Sequence, residues 1–464
     1  MIFRLALRSL ATRPIRTAVL ACGFGFGIAI MAALLGVGQV ILEQAHSPAL
    51  AGGGEVVIGG RFGSLDSARF VMSSVLGSPD IARRATAVSP SKSAPLYLIK
   101  DDVTIAVSVR AGIPSLQKAI GDPEVAGAAE WIDTGADRAW AHPAPGDTMR
   151  LMDRFHPIPN APEFSSSWAE WLYFNGRTPD GRLRFYLTFL AGPASPAPGR
   201  RVAGVRLQLE RDGQTTSYSL GGDVDEATLL ASAPDFEIAG NRVTLTGLRY
   251  QIDLALPGAS GQLTLDASPG QSLPPATIRG ARGWLTGYTA PVLSGVVNGA
   301  LTIGRDRIAF DRATGYHDHN WGFWEGVRWQ WGQVAHDDLS IVYGRVFPPA
   351  DVADPDRMPG FLGVLSAKGP LGFSTNVTIR ETSDGASAPT GLFVHARSQS
   401  TDVTLSFTAE RSVRTRMGMT APARPAGPAL DFLQLGGEYR VTGHVGDRKL
   451  DFAARGAAET FRHR

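Results

Sequence analysis

Short alternating runs of β-prone residues recur from Trp168 to the end of the chain, and each run is bounded by Gly, Pro, Asp or Asn. Successive side chains of a strand point to opposite faces, so this alternation is typical of antiparallel strands with one buried face. The runs return every ~8 to 12 residues, as in all-β sandwiches and barrels. This part of the chain is therefore predicted to be mainly β.

The length of the chain, 464 residues, leaves room for two β-barrels and a smaller segment before them. The sequence contains no exact internal repeat, which disfavours a propeller or a solenoid. A Pro-rich stretch at residues 271–276 is followed by a Gly-rich stretch at residues 279–287. We therefore expect one barrel over residues 161–280 and another over residues 281–464, after a stalk or small α+β segment over residues 45–160.

The N-terminal segment has the features of a membrane anchor. Four arginines within residues 4–16 precede an uncharged stretch, residues 17–42, which as a helix would span a hydrocarbon core of ~30 Å. The arginines before it and Glu43 after it predict a cytoplasmic N-terminus. A cleaved signal peptide is the alternative, but its apolar region is normally shorter. Residues 1–44 are thus expected to form a single-pass inner-membrane anchor, with the later domains in the periplasm.

Charge and cysteine content exclude several classes of function. The chain has 45 Lys+Arg and 43 Asp+Glu, a formal net charge of +2. Such a balance produces no strong basic field, so no nucleic acid partner is expected. The single cysteine, Cys22, can build neither a disulfide framework nor a cysteine-based metal site.

The segment GYHDHNWG, residues 315–322, is the strongest functional signal in the sequence. Four of the nine tryptophans lie in or just after it: Trp321, Trp324, Trp329 and Trp331. If the segment is a strand, Asp318 and His319 point to opposite faces, and only a bulge would bring both to one pocket. One face would carry His317, His319 and Trp321, and the other Tyr316, Asp318 and Asn320.

Three interpretations of this segment remain open on the sequence. The favoured one is an acid/base site lined with aromatic side chains. In the second, the tryptophans fill a barrel interior while the His and Asp side chains bond to turn backbone. The third takes His317 and His319 as metal ligands on one face, but no third ligand follows from the spacing. We expect neither a metal nor another cofactor.

A second aromatic segment, residues 168–176, is followed by a turn at residues 177–181 and a further strand, which together predict a hairpin. Glu170 lies among its aromatic residues. Burial would raise the pKa of such a carboxyl; alternatively, Glu170 pairs with an arginine such as Arg184. Glu459 carries no motif, and we expect it to stay solvated.

These segments resemble a known family. EWLYFNG at residues 170–176 and GYHDHNWG at residues 315–322 resemble the two signature stretches of the carotenoid 1,2-hydratase family, also called the lipocalin-like hydroxyneurosporene synthase or AttH group. Residues 437–460 resemble its closing hairpin and final strand. The resemblance covers residues 165 to 460 approximately and implies two tandem lipocalin-like β-barrels.

The N-terminal segment has a resemblance of its own. Residues 4–20, RLALRSLATRPIRTAVL, resemble the start of the first transmembrane helix of FtsX-type ABC-transporter permeases. Such permeases have three further spans, whereas no comparable apolar stretch follows Leu42. The chain is therefore not a permease itself, but the resemblance implies ABC-transporter components as partners.

The family resemblance implies a set of site residues. The type activity adds water to the terminal C=C bond of acyclic carotenoids without an organic cofactor. His319 and Trp321 match its His-x-Trp motif, with Asp318 beside them. Tyr343 is a candidate on the following strand, although Arg345 stands where an acid is expected. The catalytic candidates are thus Asp318, His319, Trp321 and Tyr343, and the substrate-binding candidates are Tyr316, His317, Trp324, Glu170, Trp171 and Tyr173.

Hydration of an alkene needs a proton donor beside an apolar chain, because the reaction passes through a carbocation. Asp318 can supply the proton if its surroundings keep it protonated, with His319 orienting it, and aromatic faces can stabilise the cation. We therefore expect a hydratase-like lyase for an isoprenoid or carotenoid-like substrate. The alternative is a non-catalytic lipocalin-like lipid-binding protein that works with an ABC transporter. An isomerase or cyclase rests on fold analogy alone.

Overall fold

The computed structural model describes residues 83–100, 103–123, 125, 130–141, 145–268, 271–383, 388–416 and 430–463, with isolated positions before residue 83. Most of the predicted anchor, residues 17–42, lies outside these residues and stays a prediction. Within the described part of the chain, no helix has the length and apolar character needed to cross a membrane. The described residues fall into two compact units, one within residues 1–65 and 87–141 and the other within residues 66–86 and 142–464.

The described part of the first unit is a β-hairpin followed by short helices. Strand β1 (Ser91–Lys100) pairs antiparallel with β2 (Val103–Gly112) along its whole length. Helix α1 (Pro114–Ala119) begins with a proline, whose fixed φ suits the first helical turn. Helix α2 (Gly135–Ala141) follows.

The second unit contains helix α3 (Pro145–Met152) and two sheets. The first sheet has eleven strands, in the order β6-β5-β4-β3-β13-β12-β10-β9-β8-β7, with β11 paired to β12. Helix α4 (Glu226–Ser232) lies between β6 and β7. The strands are β3 (Trp168–Arg177), β4 (Leu183–Ala194), β5 (Arg200–Arg211), β6 (Gln214–Asp225), β7 (Phe236–Ile238), β8 (Asn241–Thr246), β9 (Arg249–Leu256), β10 (Ala259–Ala267), β11 (Leu273–Arg279), β12 (Leu285–Ile303) and β13 (Asp306–Phe323).

The second sheet has nine strands, in the order β17-β16-β15-β14-β22-β21-β20-β19-β18. They are β14 (Arg328–His336), β15 (Leu339–Phe347), β16 (Phe361–Ser366), β17 (Gly369–Ser374), β18 (Val377–Thr382), β19 (Gly391–Arg397), β20 (Thr401–Arg416), β21 (Leu430–Val445) and β22 (Arg448–His463). Each of the two antiparallel sheets curves into a nearly closed barrel. The predicted class, mainly β with tandem lipocalin-like barrels, is confirmed.

The first sheet extends further along the chain than the sequence pattern predicted. Strands β12 and β13 belong to it, so the change of sheet falls between Phe323 and Arg328 and not between residues 280 and 281. The Pro-rich stretch that suggested a boundary forms β11, which pairs with β12 alone. Its prolines fall where the register shifts between Leu273 and Ala276, a position at which a strand tolerates missing N–H donors.

Each barrel buries one face of its strands. In β4, Phe185, Leu187 and Phe189 pack inside the first barrel. The alternate residues Arg184, Tyr186 and Thr188 therefore point outward. A separate apolar cluster joins such outward residues of the first sheet to residues of the second, and it includes Tyr173, Tyr186, Tyr316 and Trp331. The contact between the outer faces of the two barrels is therefore the place where aromatic side chains of both sheets meet.

Candidate active site

Strand β13 carries the GYHDHNWG segment and places its two faces in different environments. It pairs with β3 without a register shift, with Asp318 opposite Tyr173 and His319 opposite Leu172. His319 is therefore inside the first barrel, while Asp318 faces the contact between the barrels. The alternation expected from the sequence is confirmed, and no bulge between β13 and β3 brings both side chains to one pocket.

A cavity of about 890 Å³ lies between the outer faces of the two barrels. Strands of both sheets form its walls, and Asp318 and Glu459 are its carboxyl groups. Its lining is mostly apolar, as in sites that bind lipophilic molecules. The aromatic side chains of its wall are Trp171, Tyr173, Tyr186, Tyr288, Trp324, Trp329, Trp331, Phe361, Phe373 and Phe432.

Asp318 is a buried carboxyl in the wall of this cavity, with a relative exposure of 6%. Burial, reinforced by the charge of Glu459, raises its pKa well above the ordinary value. Tyr316 Oη donates to Oδ2 at 2.8 Å and Asn320 Nδ2 donates to Oδ1 at 2.7 Å. These bonds favour the carboxylate, but desolvation outweighs them. Asp318 therefore keeps its proton to a higher pH than an exposed aspartate.

Glu459 is the second carboxyl of the cavity, and burial raises its pKa to about 7. Trp329 Nε1 donates to its Oε2 at 3.0 Å, and Gln434 Nε2 lies 3.5 Å from Oε1. The expectation that Glu459 is solvated was wrong. Strand β22 pairs with β14 so that Glu459 lies opposite Trp331, and this non-local pairing had no signal in the sequence.

A chain of hydrogen-bond donors ends on Asp318. Trp331 Nε1 donates to Tyr288 Oη at 3.1 Å, and the hydroxyls of Tyr288 and Tyr316 are 2.8 Å apart. Tyr316 in turn donates to Asp318. Burial raises the pKa of both phenols, so they remain protonated donors. The chain holds Asp318 in one orientation towards the aromatic wall.

Glu170 and His319 belong to a different site, inside the first barrel. His319 Nε2 contacts Glu170 Oε1 at 3.0 Å, and its Nδ1 donates to Met152 O at 2.8 Å. Glu170 also accepts from His156 Nδ1 at 2.7 Å. Burial alone would raise the pKa of Glu170, but the bonds from His156 and His319 lower it, contrary to expectation. The expectation that Glu170 pairs with Arg184 was also wrong. The arginine near Glu170 is Arg201, whose Nη1 lies 3.8 Å from Glu170 Oε2.

His317 also lies inside the barrel and away from the cavity. Its ring stacks on Phe174 with centroids 4.1 Å apart, its Nδ1 lies 3.0 Å from Tyr173 O, and its Nε2 lies 3.0 Å from Asp153 Oδ2. Asp153 also accepts from Tyr250 Oη. These bonds join the chain after α3 to the interior of the first sheet, a structural role.

The cluster of His156, Glu170 and His319 brings three ligand atoms within 4.8 Å of one another, near enough to share an ion. The carboxylate, however, already accepts bonds from both rings. The guanidinium of Arg201, 3.8 Å from Glu170, disfavours a second cation. We therefore assign this cluster to the stability of the barrel.

The remaining predicted residues divide between cavity and core. Trp171, Tyr173 and Trp324 line the cavity. Trp321 instead stacks on His156, with centroids 4.5 Å apart, and Tyr343 is buried in the second barrel with its hydroxyl 3.0 Å from that of Tyr439. The structure thus brings Asp318 together with Trp171, Tyr173 and Trp324, with Tyr316 hydrogen-bonded behind it. The predicted residues that lie away from the cavity are His317, His319, Trp321, Glu170 and Tyr343.

The buried pair of His319 and Glu170 predicts a pH-dependent stability. The pKa of His319 is raised because the bonds and charge of Glu170 outweigh the effect of burial. Its contribution is therefore fully present below the unfolded pKa of about 6.5 and lost as the pH rises through the folded pKa. Melting curves should show stability falling above neutral pH.

The His319→Gln variant should unfold with a free energy lower by on the order of 3 kcal/mol near pH 6 and lose this part of the pH dependence. His395→Gln is the control, since His395 is paired with Asp402 in a half-exposed position. An unchanged pH dependence in His319→Gln would show that the ion pair does not form.

Comparisons with known proteins add a likeness of fold. No protein-family model matches the chain, and no curated protein matches its sequence. Among solved structures, CghA is similar with a TM-score of 0.46 and 13% identity over 66% of this chain and 93% of its own. A putative AttH from Nitrosomonas europaea has a TM-score of 0.42 and 16% identity over 66% of this chain and 98% of its own. Kievitone hydratase from Nectria haematococca has a TM-score of 0.42 and 15% identity over 66% of this chain and 93% of its own.

Proposed function

We propose that this protein is a hydratase-like lyase that adds water to a C=C bond of a lipophilic, isoprenoid or carotenoid-like substrate held in the cavity between the barrels. One observation carries the proposal: Asp318, a carboxyl whose pKa is raised by burial, lies in the wall of a large aromatic cavity. A protonated acid beside an apolar chain is the minimum requirement for this reaction.

In the first step, the proton of Asp318 moves to one alkene carbon as the π electron pair forms the new C–H bond. The other carbon becomes a cation, and Asp318 becomes a carboxylate. The rings of Tyr288, Trp329 and Trp331 line the cavity, and each ring face can stabilise a desolvated cation by about 2 kcal/mol or more. These rings therefore lower the activation free energy of the protonation step, because the positive charge of the carbocation develops beside them.

In the second step, water attacks the cation and forms the C–O bond while it loses a proton to Glu459. A carboxyl with a pKa of about 7 is suited to accept a proton near neutral pH. The buried Oε1 of Gln434, beside Glu459, has no hydrogen-bond partner among the described residues. A water donating to Glu459 and to this oxygen would be oriented for attack. Return of this proton from Glu459 to Asp318 then restores the protonation state of both carboxyl groups.

The isotope content of the product tests this proposal. Purified protein incubated with acyclic isoprenoids in heavy-oxygen water should yield a tertiary alcohol that contains one heavy oxygen atom from the solvent, detected by mass spectrometry. A heat-denatured sample is the control. If the protein binds the isoprenoid but all of it is recovered unchanged, the hydratase proposal is contradicted.

The apolar lining of the cavity also supports a second candidate function, a non-catalytic carrier of a lipophilic compound. An ABC transporter as its partner is proposed from the resemblance of residues 4–20 alone. Binding alone requires the aromatic wall but not a protonated Asp318. A carrier would release its ligand chemically unchanged, whereas a hydratase would release an alcohol. Mass spectrometry of lipids extracted from the purified protein therefore separates the two functions.

A further inference from the structure

A row of side chains runs from Asp318 across the outer face of the first sheet. Asp318 lies opposite Tyr173, Tyr173 opposite Thr188, and Thr188 opposite Arg206 in successive strands. Residues directly opposite each other in a ladder point to the same face. All four line the cavity, so Arg206 and Asp318 share one wall of it. Three strand spacings separate their Cα atoms by about 14 Å.

Arg206 is a cation with unused donors. Its side chain makes no hydrogen bond or ion pair within the described part of the chain. It is exposed where the cavity meets solvent, and partial burial still lowers its pKa. The other arginine of the cavity wall, Arg345, already donates Nη2 to the carbonyls of Pro355 and Asp356.

We infer that the cavity binds an amphipathic alkene whose anionic end group, a carboxylate or a phosphate, is held by Arg206 while its distal double bond lies at Asp318. The planar guanidinium presents several N–H donors that suit either anion. Leu190 lies on the same outer face, opposite Trp171, and would contact the apolar chain near Arg206. This inference rests on the proposed function for the role of Asp318, but the position of the end group depends on Arg206 alone.

Binding of farnesoic acid and of farnesol, the neutral alcohol with the same chain, tests the inference. We expect the Arg206→Gln variant of the full chain to bind farnesoate about tenfold more weakly, because a charge-assisted hydrogen bond is lost. Its affinity for farnesol should change by less than about twofold, and Arg206→Lys should recover part of the farnesoate affinity. Quenching of tryptophan fluorescence measures both ligands, and farnesyl phosphate distinguishes phosphate from carboxylate preference.

Arg242→Gln is the matched control, since Arg242 is exposed, pairs with Glu237 and lies outside the cavity wall. Equal losses for farnesoate and farnesol in Arg206→Gln, or no farnesoate binding by the unmodified protein, would overturn the inference. If the protein prefers farnesoate to farnesol through Arg206 but forms no alcohol from either, the inference about Arg206 holds and the hydratase proposal fails. If the protein instead hydrates farnesol and farnesoate with equal kcat/KM, the hydratase proposal holds and the inference about Arg206 fails.

Discussion

Replacement of Asp318 with Asn is expected to reduce the rate of alcohol formation by a factor of about 10² to 10⁴, the usual contribution of a positioned acid. The amide cannot supply the proton that begins the reaction. It keeps the shape of the carboxyl and can still accept the hydrogen bond from Tyr316, while its NH2 group can donate to Asn320 once the amide of Asn320 turns over. Ligand affinity and melting temperature should therefore change little, and the loss should appear in kcat. Single-turnover rates on the isoprenoid substrate measure it.

Asp311→Asn is the control for this variant, since Asp311 lies exposed on the same strand. The same chemical change there should leave the rate as it is. If Asp318→Asn forms the alcohol at an undiminished rate, Asp318 is not the general acid, and Glu459 becomes the candidate for that role.

Replacement of Glu459 with Gln is expected to reduce kcat by about 10²-fold and to change the pH profile. The unmodified enzyme should lose activity as the pH falls through about 7, where burial places the pKa of Glu459. The variant should lose this acidic limb, because no group titrates there. The charge of Glu459 also raises the pKa of Asp318, so the alkaline limb should move to lower pH in the variant.

A pH series of kcat/KM measures both limbs. Glu438→Gln is the matched control, since Glu438 is exposed on β21 and does not line the cavity. An acidic limb that persists unchanged in Glu459→Gln would assign it to another group and would exclude Glu459 as the base.

Half of the candidate site could be predicted from the sequence. Alternation along residues 315–322 separated Asp318 from His319 correctly, because a continuous strand has only two faces. The His-x-Trp resemblance grouped His319 and Trp321 with Asp318, whereas both lie away from the cavity. A motif shows that residues occur together in the chain, but not that they share one environment.

The partners of Glu170 illustrate the same limit. Its place among aromatic residues correctly indicated burial, which is a property of the strand pattern. Its pKa depends on His156 and His319, which come from an irregular segment and another strand. Neither neighbour follows from the local sequence, so the direction of the pKa shift could not be predicted.

The antiparallel strands, the mainly β class and the two faces of β13 follow from local sequence, because the alternation of side chains is encoded in adjacent residues. Three features depend on the tertiary structure: which face of β13 meets the cavity, the place of β12 and β13 in the first sheet, and the position of Glu459 in the same cavity as Asp318 but on the other sheet. These features depend on pairing and packing between segments far apart in the chain. Burial in that contact is also what raises the pKa of Asp318 and of Glu459.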